Sequence, residues 1–110
     1  MKFLVRLTTT FPAGLSDDER ARLLAAESAR GRELVAAGTI EHLWRLPGRL
    51  ANVGVWSVRD ADELHAAIAS LPLWRFMDVR VEALASHPLT EGAAEPLASQ
   101  PAAGGAVDSR

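Results

Sequence analysis

The sequence predicts an α+β domain of the ferredoxin-like type, β-α-β-β-α-β. Three observations carry that prediction. Four short segments alternate apolar and polar residues with a period of two, the mark of a half-buried strand. Two longer segments open on an N-capping pattern and continue with helical spacing. Their order along the chain is that of the split βαβ arrangement, an antiparallel sheet with both helices on one face.

The elements follow in turn. Residues 3–9 set Phe3, Val5 and Leu7 against Leu4, Arg6 and Thr8, the alternation of a first strand. Pro12 and Gly14 mark a loop. Ser16-Asp17-Asp18-Glu19 matches a capping box whose acidic first turn suits the helix dipole. The helix it opens should run to about Ala37, where Gly38 is a natural stop. Residues 39–46 read as the second strand, Pro47-Gly48-Arg49 as a turn and residues 50–58 as the third strand. Asp60-Ala61-Asp62-Glu63 repeats the capping logic, for a helix that reaches about Ser70 with Pro72 beyond its end. Residues 77–84 alternate again as the fourth strand. The domain should span residues 1–89. Residues 90–110, rich in Ala, Gly, Pro and Ser, have little to bury and should form a mobile tail.

Composition narrows the function classes. The chain has 110 residues, of which 48% are hydrophobic, enough for one globular core. Its net charge is −2 with no basic block, which argues against nucleic acid as a partner. Eleven of the twelve basic residues are Arg, the side chain better suited to a bidentate grip on a carboxylate. No apolar run approaches the ~20 residues of a membrane span, and Arg6 interrupts the start too early for a signal-peptide core. A cytoplasmic location is expected, and the absence of Cys agrees with it. His42, His65 and His87 show no metal-ligand spacing, and no nucleotide or flavin motif occurs. No metal and no cofactor are expected. A single layer of helices would leave the second face of the sheet wet, although Val, Leu and Trp residues fall on it. Burial against a second copy resolves this, so at least a dimer is predicted.

Glu27 is the first candidate for chemistry. With Leu23, Leu24, Gly31 and Leu34 it falls on the apolar stripe of the first helix, whereas Arg20, Arg30 and Arg32 point mostly elsewhere. An inward carboxylate is costly unless paired, and desolvation raises its pKa toward that of a general base. The other reading is a Glu at the stripe edge that reaches solvent or an Arg. On the second strand, simple alternation places His42 and Trp44 on one face with Ile40 and Leu46, and Glu41, Leu43 and Arg45 on the other. Each has an ordinary structural reading: packing for Trp44, a hydrogen-bonded half-buried imidazole for His42, an ion pair for Arg45. Arg6 and Asn52 add polar groups to otherwise apolar strands.

Several stretches carry a family likeness: "HLWRLPG", "LANVGVWSV", "LHAAIASLPLWRFMDVRVEALASHP" and an amino-terminal strand plus helix containing Glu27. Together they resemble the muconolactone Δ-isomerase family over roughly residues 1–89. The resemblance implies a dimeric α+β barrel that assembles into a decamer. It implies a cofactor-independent isomerase of the β-ketoadipate pathway of aromatic catabolism, which converts muconolactone to 3-oxoadipate enol-lactone. The substrate would be a small lactone carboxylate. On that likeness Glu27 would shuttle the proton, with His42 and Arg45 orienting the substrate or stabilising the enolate. Arg6 would meet the substrate carboxylate, and Trp44 and Asn52 would line the pocket. Leu50 and Gly54 stand where the best-known members have Tyr and Ser, a departure that makes the pocket roomier and less polar. Alternatives are a related lactone isomerase or dehalogenase, a polyketide-type cyclase or cofactor-free monooxygenase of the same fold, and a non-catalytic binding module.

Overall fold

The computed structural model describes residues 1–90. Its elements follow the predicted order: β1 (Lys2–Thr9), α1 (Asp17–Ala36), β2 (Ile40–Arg45), β3 (Ala51–Ser57), α2 (Ala61–Ala69) and β4 (Met77–Leu84). A 3₁₀ turn at Trp74–Phe76, which the sequence reading did not include, leads into β4. The expected tail lies, from residue 91 on, outside the described residues.

Both helices start where the caps predicted. Ser16 Oγ accepts the Glu19 amide at 3.1 Å, and Glu19 Oε1 accepts the Ser16 amide at 2.9 Å, which closes the capping box. Asp60 Oδ1 accepts the Glu63 amide at 2.8 Å. Gly38 ends α1 in the left-handed region at φ 80°, where a residue with a Cβ is strained.

The four strands form one sheet in the order β2-β3-β1-β4, every neighbouring pair antiparallel. β1 and β2 therefore run parallel, with β3 inserted between them, which is the ferredoxin-like topology. One face of the sheet packs on the helices: Phe3, Val5, Leu7, Ile40 and Trp56 meet Leu34 of α1 and Leu64 and Ile68 of α2. Among the described residues no layer covers the other face. Register puts Leu4, Arg6, His42, Trp44, Val53, Val55, Arg80 and Glu82 there. Among the described residues no helix is long and apolar enough to cross a membrane.

The register of β2 corrects the simple alternation. Ile40 pairs with Trp56, but His42 pairs with Val55, so the ladder shifts between Ile40 and His42 and Glu41 is the extra residue of a β-bulge. The bulge reverses the phase of the strand. Ile40 faces the helices together with Leu43 and Arg45, opposite Trp56, Gly54 and Asn52, and does not share a face with His42 and Trp44. An alternation rule cannot see an inserted residue, and one residue is enough to turn every later side chain over.

α1 is long but lightly seated. Of its 20 residues only Leu34 is fully buried. A helix that commits so little apolar surface does not close onto the sheet along its whole length. The space it leaves lies beside β2.

Candidate active site

Along α1, positions 23, 27, 30 and 34 recur at helical spacing and turn toward the sheet and α2. Leu23, Glu27 and Arg30 are partly buried there and Leu34 is buried. Positions 28, 31, 32, 35 and 36 form the adjoining stripe. That stripe and the helix-side residues Leu43 and Arg45 of β2 line a cleft of about 600 Å³. Glu27 sits on the seam between the stripes and lines the cleft as well.

The Glu27 carboxyl is held at one end. Its Oε1 accepts the backbone N–H of Leu73 at 2.9 Å, a contact from the loop between α2 and β4. Among the described residues no side chain pairs with it. Burial raises its pKa above the ordinary value of 4.5, and the Leu73 amide opposes that rise. The result is a carboxyl group oriented by one oxygen, with no hydrogen bond to the other among the described residues.

Two guanidinium groups share the cleft with it, those of Arg45 and Arg32. Neither has a carboxylate partner among the described residues. Elsewhere on α1 and β2, Glu33 holds Arg30 at 3.0 Å and Glu41 holds Lys2 at 2.7 Å. Val35, Leu43 and the small residues Gly31 and Ala36 supply the apolar lining. One half-buried acid, two unpaired cations and an apolar floor make a site able to move a proton on a small apolar ring that carries negative charge.

The six residues singled out from the sequence divide between the two faces of the sheet. Glu27 and Arg45 line the cleft. Asn52 is Arg45's cross-strand partner on the same face; it does not line the cleft, and its Oδ1 is buried without a hydrogen-bond partner among the described residues. Arg6, His42 and Trp44 are on the open face. There the His42 and Trp44 rings stack with centroids 5.6 Å apart, and Arg6 lines a separate pocket of about 420 Å³ with Arg80 and Glu82. The sheet therefore separates these three from Glu27. Arg32 was the cleft residue the sequence reading sent elsewhere. The available signal was Gly31, a poor helix former in the middle of a long helix, which marks a face kept open.

Residues 1–90 match the family model described as muconolactone delta-isomerase. The chain belongs to the muconolactone Δ-isomerase family. It is 39% identical over 87 residues to muconolactone Δ-isomerase 2 of Acinetobacter lwoffii, covering 79% of this chain and 91% of that protein. It is 33% identical over 88 residues to the muconolactone Δ-isomerase of Acinetobacter baylyi, covering 80% and 92%. The crystal structure of a muconolactone isomerase superposes with a TM-score of 0.75 at 35% identity, over 80% of this chain and 92% of that one. A 5-chloro-2-hydroxyhydroquinone dehydrochlorinase from Burkholderia phenoliruptrix shares the fold at a TM-score of 0.60 and 20% identity. For this member of the isomerase family, the matched region coincides with the described domain and takes in every cleft residue.

Proposed function

We propose that this protein is a cofactor-independent isomerase that shifts the ring double bond of muconolactone to give 3-oxoadipate enol-lactone, a step of aromatic catabolism. The observation that carries the reading is the half-buried Glu27, anchored by the Leu73 amide in a cleft with two unpaired arginines. Membership of a family whose curated members bear that name supports it.

The reaction removes the proton on the ring γ-carbon and places one on the α-carbon, with no net change in composition. Glu27 takes the first proton as carboxylate and returns it as carboxylic acid. Between the two transfers the ring is a dienolate with its charge on the lactone oxygen. Arg45 supplies the positive charge for that oxygen, beside the apolar lining of Val35 and Leu43. We assign Asn52, Arg45's partner across the strands, to orienting it. A raised carboxyl pKa serves both halves, because the same group must accept a proton and then release it.

Arg6, His42 and Trp44 take a different place in this proposal. They share the open face with Leu4, Val53 and Val55, and Trp44 is 55% exposed there. A second copy packed on this face would bury the apolar residues and give the charged ones partners. The proposed assembly is a homodimer, with the decamer that the family likeness implies as its extension. Conversion of muconolactone by the purified protein, followed by absorbance, tests the activity: turnover is expected, and its absence refutes the substrate assignment.

A further inference from the structure

Every arginine on α1 except one is committed or lies away from the cleft. Arg20 stacks over the Phe11 ring at 4.8 Å, Arg30 binds Ser70 Oγ and Glu33, and Arg22 lines a separate depression near the helix start. Arg32 alone lines the cleft. It lies five residues after Glu27, an axial rise of ~7.5 Å, and about 140° around the helix from it. Glu27 thus occupies the inner wall and Arg32 the outer rim. Arg45 reaches the same space from β2. An anionic arm projecting outward from a ring held against Glu27 would enter the field of both guanidinium groups.

We propose that Arg32 binds the substrate's carboxylate at the rim while Arg45 serves the lactone oxygen, so that Arg32 is a specificity-determining residue that selects lactone acids over neutral lactones. This inference rests on the isomerase reading for the identity of the ring, but its chemistry concerns only the charged arm. It moves the carboxylate contact from Arg6, which the sheet separates from Glu27, to the cleft itself. The grip is on the rim because a carboxylate is costly to bury, and a rim position leaves its outer lone pairs in water. The Arg32 guanidinium gives the planar, forked donors that a carboxylate matches.

The test uses the saturated lactone acid, which has no double bond to move, and its methyl ester. Binding of each is measured by titration calorimetry, or by NMR line shifts, to the wild type, Arg32→Gln and Arg22→Gln. Arg32 is exposed on α1, so the variant should fold as the wild type does. The expected result is a loss of about tenfold or more in affinity for the acid in Arg32→Gln, the range of a charge-assisted hydrogen bond. The ester should bind all three proteins alike, and Arg22→Gln should match the wild type. Equal affinity of wild type and Arg32→Gln for the acid overturns the proposal. So does an equal loss for acid and ester, an equal loss in Arg22→Gln, or a wild type that binds no acid. Because the probe is inert, Arg32-dependent binding without turnover of muconolactone would refute the catalytic reading and leave this inference standing.

Discussion

Glu27 Oε1 and the Leu73 amide, 2.9 Å apart, tie the middle of α1 to the loop that follows α2. The contact spans 46 residues of sequence and fixes one oxygen of a carboxyl that has no side-chain partner among the described residues. Desolvation lifts that carboxyl's pKa above 4.5 and the amide restrains it. The rate should therefore fall on the acid side with a midpoint above 4.5, since the ionised form is the base. The same shift has a stability consequence. A raised pKa means the native state holds the proton more tightly than the unfolded chain does, so this group's contribution is complete below 4.5 and is lost as pH rises through the native value. Glu27→Gln keeps the acceptor for Leu73 and has no proton to lose. Its Tm relative to wild type should be constant at low pH and increase across that window; a difference that stays flat with pH would contradict the raised pKa.

Gly31 should behave as a residue kept small for the cleft. A Cβ built there meets nothing within 4 Å, so substitution causes no clash. Gly31→Ala should stabilise α1 by about 0.5–1 kcal/mol, the usual helix-interior difference. Gly31→Leu should fold at least as well as the wild type yet lose at least about tenfold in kcat/KM, because its side chain fills the space beside Glu27. Thermal melts and steady-state rates on the same preparations separate the two effects.

Gly54 should be intolerant for the opposite reason. A Cβ there would collide with the backbone carbonyl of His42 and approach Leu43 Cδ1 to 3.0 Å. A backbone carbonyl held in a sheet does not yield cheaply, so β2 must shift and carry Leu43 and Arg45 with it. Gly54→Ala should cost roughly 1–3 kcal/mol, the range for overpacked sites, read from urea denaturation. Wild-type stability in this variant would mean that β2 sits farther from β3 than the structure places it.

The open face supplies a prediction about assembly. Trp44→Asp puts a charge among Val53, Val55 and Leu4, where the proposed second copy would bury it. Sedimentation should show a lighter species than wild type at equal concentration, with the far-ultraviolet circular dichroism of the fold retained. An unchanged sedimentation coefficient would remove this face from the interface.

The elements were legible in the sequence because their signals are local. Ser16 with Glu19, and Asp60, announced both helix starts, Gly38 announced a stop, and the alternation from Phe3 to Leu7 reported the core face of β1 directly. The inward Glu27 was legible for the same reason, being placed by helical spacing. What misled was non-local. The bulge at Glu41 depends on how β2 meets β3 at Gly54, and no pattern within β2 records it. It reversed the partnership of Ile40 and decided that Arg45, not His42, shares a face with Glu27. Arg32 was missed because the cleft it lines exists only through the light seating of α1 on the sheet.

The central claim is that Glu27 carries the proton. Its most direct test is the turnover of muconolactone by Glu27→Gln, with thermal denaturation as the check on folding. The amide preserves size and the contact to Leu73 but can neither take nor return a proton at neutral pH. The account predicts kcat reduced by about 100-fold or more, within the range for loss of a general acid–base group, in a variant that melts no lower than the wild type. A folded Glu27→Gln with wild-type turnover would contradict it.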